Sequence, residues 1–212
     1  MITLALDTTG SWCSCAIVNG HKVLSNPSER IGRGHAERLA PMVQEALAGA
    51  DVSARHIERI AVCTGPGSFT GLRVALAFAR SFALPRSIPV IGVSALMAMA
   101  MEADPDSSKF VVSSINAKRG DLCWAAFENG IEIIAPKTQK VEIATAEIAQ
   151  IPADLYVGDG VELLGQTPNT IDHVSPAILG WMADSMDPGV FPPEPFYARG
   201  PDAKLPGGKS LA

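Results

Sequence analysis

One segment constrains the fold more than any other: residues 68–84 predict a helix that is apolar on almost every side. Only Arg73 and Arg80 interrupt it, and because they are seven residues apart they lie on one stripe. Such a helix must be covered on more than one side, by its own sheet and by either a second helix or a partner protein. We therefore expect an α/β protein in which this helix is wholly internal or forms part of an interface.

The turn before this helix, Gly65-Pro66-Gly67-Ser68, has the composition of a loop that lets another group approach closely. The Ser68 hydroxyl is placed to cap the helix, and a helix N-terminus with free amides also attracts phosphate. The glycine spacing matches neither the dinucleotide-binding fingerprint nor the P-loop, and no lysine follows Gly71. Ser68 also misses the spacing of a hydrolase nucleophile elbow by one residue. The turn is therefore a poor candidate for phosphate binding or acyl transfer.

The other hydrophobic patterns predict strands and helices that alternate once in each half of the chain. Asn19-Gly20 predicts a hairpin, and helical spacing over 36–48 predicts a helix with Pro41 in its first turn. We expect strands at 2–7, 14–18, 21–25, 57–63, 89–91, 110–115, 121–127, 131–134 and 155–157, and further helices at 94–101, 145–150 and 175–186. The polar stretch 102–109 divides two related lobes, 1–103 and 104–212, the second with an irregular tail from Asp187.

Composition excludes several classes of protein. The net charge is −5, and the sequence has no basic stripe of the kind that grips nucleic acid alone; the tail cations Arg199, Lys204 and Lys209 are sparse. Neither a basic leader nor an apolar run of membrane-spanning length is present, so we expect a cytoplasmic protein without membrane contact. Cys13 and Cys15 share one strand face and lack metal-clip spacing, which predicts reduced structural thiols.

Two groups of residues are candidates for chemistry. Asp7-Thr8-Thr9 closes the first strand with a carboxylate and hydroxyls, the kind of loop that meets Mg²⁺ and nucleotide phosphates, and 158–160 (Gly-Asp-Gly) is a second loop for the opposite cleft wall. His35 begins a helix but Leu39 stands where a second metal ligand would be needed. His21, His56 and His173 have no companion at ligand spacing, so we expect no metal site.

Several segments together resemble the TsaB (YeaZ) family, the partner subunit in bacterial synthesis of threonylcarbamoyladenosine on tRNA. They are ITLALDTT, GHAERLAPMVQEAL, GPGSFTGLRVALAFARSFAL, IGVSALMAMA, INAKRGDLCWAAF and PFYARGPDAKLPGG. The resemblance implies a two-lobed actin-like, ribonuclease-H-like ATPase (ASKHA) fold without catalytic residues. It also implies a heterodimer with a TsaD-type catalytic paralogue, a TsaE-type ATPase, tRNA contact only through the complex, and a homodimer when alone. The chain would have no cofactor of its own, although ATP or ADP at the complex interface is left open.

The paralogue carries a His-x-x-x-His metal site; His35 matches its first ligand and Leu39 replaces its second, so we expect no such chemistry here. The chain also departs from the family at 116–118 (Asn-Ala-Lys), where relatives carry an aspartate, and in a short C-terminal half.

We expect docking of the paralogue through the first-lobe helices. The predicted interface residues are Leu39, Val43, Phe69, Leu72, Arg73, Leu76, Ala79 and Arg80. Two alternatives remain: a small actin-like ATPase or kinase relative that uses Asp7, Thr8 and Thr9, and a glycoprotease-type metallopeptidase.

Overall fold

The chain builds two β-sheets in succession, as seen in a computed structural model that describes residues 1–167, 171 and 173–199. The first sheet contains β1 (Ile2–Asp7), β2 (Trp12–Asn19), β3 (Lys22–Ser25), β4 (Ser28–Arg30), β5 (Arg59–Gly65) and β6 (Val90–Ser94). The second contains β7 (Phe110–Lys118), β8 (Asp121–Glu128), β9 (Ile131–Lys140) and β10 (Leu155–Val157). The helices are α1 (His35–Gly49), α2 (Phe69–Ala83), α3 (Ala95–Ala103), α4 (Val141–Ile148) and α5 (Pro176–Ser185).

The two sheets share one plan. The first has the order β3-β2-β1-β5-β6, with β4 also paired to β2, and the second has the order β9-β8-β7-β10. In each, two hairpins are followed by a helix and then by a strand parallel to the first one. Among the described residues, the second sheet has no counterpart of β6. The prediction of an α/β protein with two related lobes is therefore confirmed.

Helices cover both faces of the first sheet. On one face α1 and α2 pack side by side over a core that includes Leu4, Leu6 and Ile60. On the other face lie α5, which follows the second sheet in the chain, and α3, which also packs on β7 and β8. The Arg59 guanidinium donates to the carbonyl oxygen of Ala183 and so ties the end of α5 to the start of β5. The two lobes thus share one continuous core.

Several local predictions need correction. Pro41 lies in the second turn of α1, since the helix already begins at His35. β4 was missed because its three residues are all exposed and carry no hydrophobic pattern. α4 begins four residues before the predicted position, and β9 extends to Lys140, because packing on the neighbouring strands continues beyond the apolar run. The predicted hairpin at Asn19-Gly20 is confirmed by the pairing of Asn19 with Lys22.

Candidate functional site

The loop after β1 is folded tightly around Asp7. This side chain is 2% exposed, and its Oδ1 accepts hydrogen bonds from the Thr9 backbone N–H at 3.0 Å and the Thr9 hydroxyl at 2.7 Å. Burial raises the pKa of Asp7, and the hydrogen bonds from Thr9 oppose that rise. The Thr8 hydroxyl points away from this carboxyl and donates to the carbonyl oxygen of Gly71 at 2.7 Å. The side chains of the three predicted nucleotide-binding residues therefore form hydrogen bonds mainly with one another and with the start of α2.

The glycines of the turn before α2 let this loop approach the helix. The Ser68 N–H donates to the Thr9 carbonyl oxygen at 2.6 Å, and a Cβ at Gly67 or Gly71 would overlap the Thr9 or Thr8 carbonyl. Ser68 also caps α2, as predicted, because its Oγ accepts from the Gly71 N–H at 3.3 Å. The turn is thus a packing joint between β1 and α2, and protein atoms lie directly against the helix N-terminus.

A cleft of about 760 Å³ separates the two lobes. The structure brings Asp7 and Thr9 to one wall and Asp159, from the second predicted loop, to the same cleft, whereas Thr8 is not among its lining residues. Asp159 Oδ1 accepts from the Asn116 backbone N–H at 2.8 Å, so it fixes the end of β7. Sequence reasoning missed the other lining groups, which include Trp12, Arg30, Lys118, His173, Tyr197 and Arg199.

Five of the eight predicted interface residues face inward. The inward-facing set is Leu39, Val43, Leu72, Leu76 and Ala79, all buried within this chain. Their helical stripe is the one that covers the first sheet, so direct contact of these side chains with a partner stays a prediction that no observation here supports. Substituting a charge there would damage the core and would not report on docking. Phe69, Arg73 and Arg80 are exposed, and Phe69 retains 43% of its accessible surface.

One stripe of the outward surface of α1 and α2, which we call the α1–α2 face, carries mainly small side chains, although the two helices also expose Glu37, Pro41, Glu45, Phe69, Arg73 and Arg80. Its exposed members are Ala36, Ala40, Gln44, Ala48, Thr70, Ala77 and Ser81. Val74, Phe78 and Phe82 are half-buried beside them, and the Phe78 and Phe82 rings are stacked with centroids 5.9 Å apart. Small residues let a second helix approach closely, at about 8–10 Å between axes. The face is therefore suited to helix packing.

A C-terminal segment, residues 191–199, runs along the other flank of α2, and we call it the C-terminal strap. The Gly92 N–H donates to the Phe191 carbonyl at 2.9 Å, and the Phe196 N–H donates to the Thr64 carbonyl at 2.8 Å. Arg80 donates to the Pro193 carbonyl at 2.6 Å. The strap thereby covers the outer edge of β6, the last strand of the first sheet.

The strap ends in a cluster of aromatic and arginine side chains at the start of α2. The Arg73 guanidinium lies 3.8 Å from the Phe69 ring centroid and donates to the Tyr197 hydroxyl at 3.3 Å. The Phe69 and Tyr197 ring centroids are 5.0 Å apart. Three of the predicted interface residues, Phe69, Arg73 and Arg80, thus contact the strap, which the sequence could not show because the hydrogen-bonded partners are 113 residues or more apart.

At the position where the paralogue has its second metal-binding histidine, this chain has Leu39. Within residues 1–167, 171 and 173–199, no group of three or more His, Cys, Asp or Glu side chains could hold a metal ion. The His35 Nε2 is buried without a hydrogen-bond partner, and Leu39 is 1% exposed within the core. In the part of the chain that the structure describes, no helix combines the length and apolarity needed to cross a bilayer.

Comparison with known proteins shows which protein family this chain resembles. Residues 26–164 match the family model described as TsaD, tRNA N6-adenosine threonylcarbamoyltransferase. The chain is 39% identical to the Escherichia coli tRNA threonylcarbamoyladenosine biosynthesis protein TsaB over 135 residues, 62% of this chain and 58% of that protein. It is also 34% identical to an uncharacterised Mycobacterium tuberculosis protein over 210 residues, 95% of this chain and 93% of that one.

A solved structure gives the same result for the fold. YeaZ from Pseudomonas aeruginosa superposes with a TM-score of 0.75 at 26% identity, covering 92% of this chain and 99% of that one. The chain therefore belongs to the TsaB (YeaZ) family. The predicted two-lobed actin-like fold is confirmed by this likeness. The match spans less than two thirds of the length of the curated TsaB proteins of E. coli and of Buchnera aphidicola, 58% and 60% respectively.

Proposed function

We propose that this chain is a non-catalytic subunit in the synthesis of threonylcarbamoyladenosine on tRNA. It docks a TsaD-type catalytic paralogue through the α1–α2 face and holds that paralogue in its active form. The observation that carries the proposal is the α1–α2 face itself, in a chain that belongs to the TsaB family. Each helix exposes a stripe of mainly small side chains, and the half-buried Phe78 and Phe82 rings of α2 stack on each other.

The size of the surface agrees with this role. A specific interface typically buries about 800 Å² on each partner, and two adjacent four-turn helices offer an area of that order. At about 25 cal/mol per Å² of apolar area, burying such a surface supplies enough free energy to offset the entropy lost on association. When the paralogue is absent, the same face covers itself in a two-fold homodimer.

The site chemistry supports a subunit without its own reaction. Asp7 is buried and its Oδ1 accepts two hydrogen bonds from Thr9, so this oxygen is already engaged within the chain. The Leu39 side chain cannot replace a metal-binding histidine, and it is buried in the core. In the proposed complex the transferase chemistry belongs to the paralogue, together with a TsaE-type ATPase in the cytoplasm, and ATP or ADP binds where the subunits meet.

A charge placed on the α1–α2 face tests docking. Ala40 and Ala77 are exposed on α1 and α2, so Ala40→Glu with Ala77→Glu leaves the core intact but puts two carboxylates into the proposed interface. We expect the Kd for the paralogue to rise by about 100-fold or more, since an unpaired buried charge is costly. Isothermal titration calorimetry measures this change, and light scattering checks that the homodimer is lost as well.

The matched control is Ile143→Glu, which adds a carboxylate at an exposed apolar side chain on α4 in the second lobe. It should bind the paralogue like the unmodified chain. If the α1–α2 double variant is folded by circular dichroism and still binds with unchanged affinity, docking does not use this face.

A further inference from the structure

The cleft between the lobes gathers cationic side chains from distant parts of the chain. Arg30 ends β4, Lys118 ends β7 and Arg199 lies at the end of the strap, and all three line the cleft. Arg33 and Arg119 are exposed just beyond lining residues, so the cationic surface continues outward from the rim on both lobes. No basic stripe is visible in the sequence because these residues belong to separate segments.

The acidic groups near the cleft cancel only part of this charge: Asp159 is an exposed carboxylate, and Asp121 Oδ2 lies 3.9 Å from the Arg199 Nε, which leaves Arg30 and Lys118 as the main cations of the cleft mouth. Asp7 is 2% exposed, and burial raises its pKa, which favours the uncharged carboxyl. Asp159 accepts a hydrogen bond from the Asn116 backbone N–H. The mouth of the cleft is therefore cationic although the whole chain carries a net charge of −5.

Aromatic rings form part of the same lining. The Trp12 indole and the His173 imidazole are stacked, with centroids 4.7 Å apart and planes 19° from parallel, and Tyr197 lines the cleft as well. A cationic groove combined with aromatic rings is the composition that binds single-stranded nucleic acids, since phosphates follow the charges and bases stack on the rings. A volume of about 760 Å³ lies in the range of small-ligand sites and accommodates one nucleotide.

We propose that this cleft binds an unpaired nucleotide of a single-stranded RNA segment. The backbone follows Arg30 and Lys118 across the cleft mouth, and the base lies against the Trp12 and His173 wall. A strand fits better than a free mononucleotide because the cations stand on both lobes and continue outside the cleft, whereas one phosphate needs a single anion site. The inference goes beyond the proposed function and does not depend on the α1–α2 face.

Fluorescence anisotropy of a labelled single-stranded oligoadenylate, titrated with the isolated chain over a series of salt concentrations, tests the proposal. We expect Arg30→Ala with Lys118→Ala to weaken binding about tenfold or more at low salt. The same pair should flatten the plot of log K against log salt by about 1 to 1.5, since two phosphate contacts are lost. Both side chains are exposed, so this variant should remain folded.

Replacement of Trp12 separates stacking from charge. Trp12→Leu should weaken binding about tenfold, because it removes a stacking contact with a base. It should leave the salt dependence unchanged, because no phosphate contact is lost. Trp12→Phe keeps an aromatic ring and should retain most of the affinity, which shows that a loss in Trp12→Leu is not caused by unfolding. The matched control is Arg55→Ala, an exposed arginine outside the cleft lining, which should bind like the unmodified chain.

Three outcomes would overturn the proposal. These are the absence of oligoadenylate binding at low salt, equal losses in the cleft variants and in Arg55→Ala, and AMP binding as tightly as the oligoadenylate. The last result would replace the RNA strand with a free mononucleotide. A failure of docking through α1 and α2 would leave all of these measurements unchanged, so the two proposals are tested separately.

Discussion

At the scale of single residues, Asp7 shows burial and hydrogen bonding acting against each other. Burial raises its pKa above the ordinary value of 3.8, and the two hydrogen bonds from Thr9 only partly oppose this. The folded state therefore holds its proton more tightly than the unfolded chain does. Below the unfolded pKa both states are protonated and nothing is lost, whereas ionisation lowers stability as the pH rises toward and through the folded pKa.

Asp7→Asn should therefore stabilise the protein at neutral pH. The amide oxygen can still accept from the Thr9 N–H and hydroxyl, while the cost of burying a charge disappears. We expect a higher melting temperature than the unmodified chain at about pH 7, with a gain that shrinks toward about pH 4. Thermal unfolding followed by circular dichroism at several pH values measures this. A gain that does not vary with pH would show that it does not come from Asp7 ionisation, and a loss at pH 7 would show that Asp7 is held as a stable carboxylate.

The sequence predicted part of what individual residues do. Ser68 was identified as a helix cap and Gly67 as a point of close approach, because both properties depend on local backbone geometry. The sequence could not show that the Thr8 and Thr9 carbonyl groups are the atoms that lie against these glycines, since they are about sixty residues away in the chain. The thiols behave as predicted: all four are free and buried, and burial raises the pKa of Cys13 to about 11.

At the scale of elements, α2 illustrates the limit of hydrophobic pattern. The pattern predicted a helix that needs cover on several sides, and the structure supplies the sheet below it, α1 beside it and the strap on the other flank. The strap comes from the far end of the chain, so no local pattern could assign it. For the same reason the sequence could not show that Leu76 and Ala79, which it assigned to an interface, are buried in the core of this chain.

The strap is tested at Gly92, where a Cβ would overlap the carbonyl oxygen of Pro192. Gly92→Ala should displace the strap and lower the free energy of unfolding by about 1–3 kcal/mol, as overpacking typically does. Urea denaturation gives this value, and hydrogen exchange should show faster exchange at the amides of residue 92 and Phe196, which donate across the contact between the strap and the sheet. The control is Gly10→Ala, since no atom lies within 4 Å of a Cβ there. Equal stability of the two variants would mean that the strap is not held against β6.

At the scale of the whole molecule, two repeated lobes are joined by a shared core. The alternation of strands and helices was enough to predict the α/β class and the presence of two similar lobes. In each lobe, the hydrophobic periodicities of strands and helices follow one another in the same order. The sequence predicted two loops of the cleft but not its cationic lining, since Arg30, Lys118 and Arg199 meet there only after both sheets have formed. The sequence led us to propose α1 and α2 as the docking helices, and the outward residues of that proposed face were read from the structure.

The central claim is that this chain acts by docking a catalytic paralogue through α1 and α2. Its most direct test is the formation of threonylcarbamoyladenosine on tRNA by the purified TsaD-type paralogue and TsaE-type ATPase, supplied with ATP and with threonylcarbamoyl-adenylate as the group donor, with and without this chain. We predict activity near background without the chain, full activity with it, and near-background activity with the Ala40→Glu and Ala77→Glu variant at the same concentration. Full activity without the chain, or with that folded variant, would contradict the account.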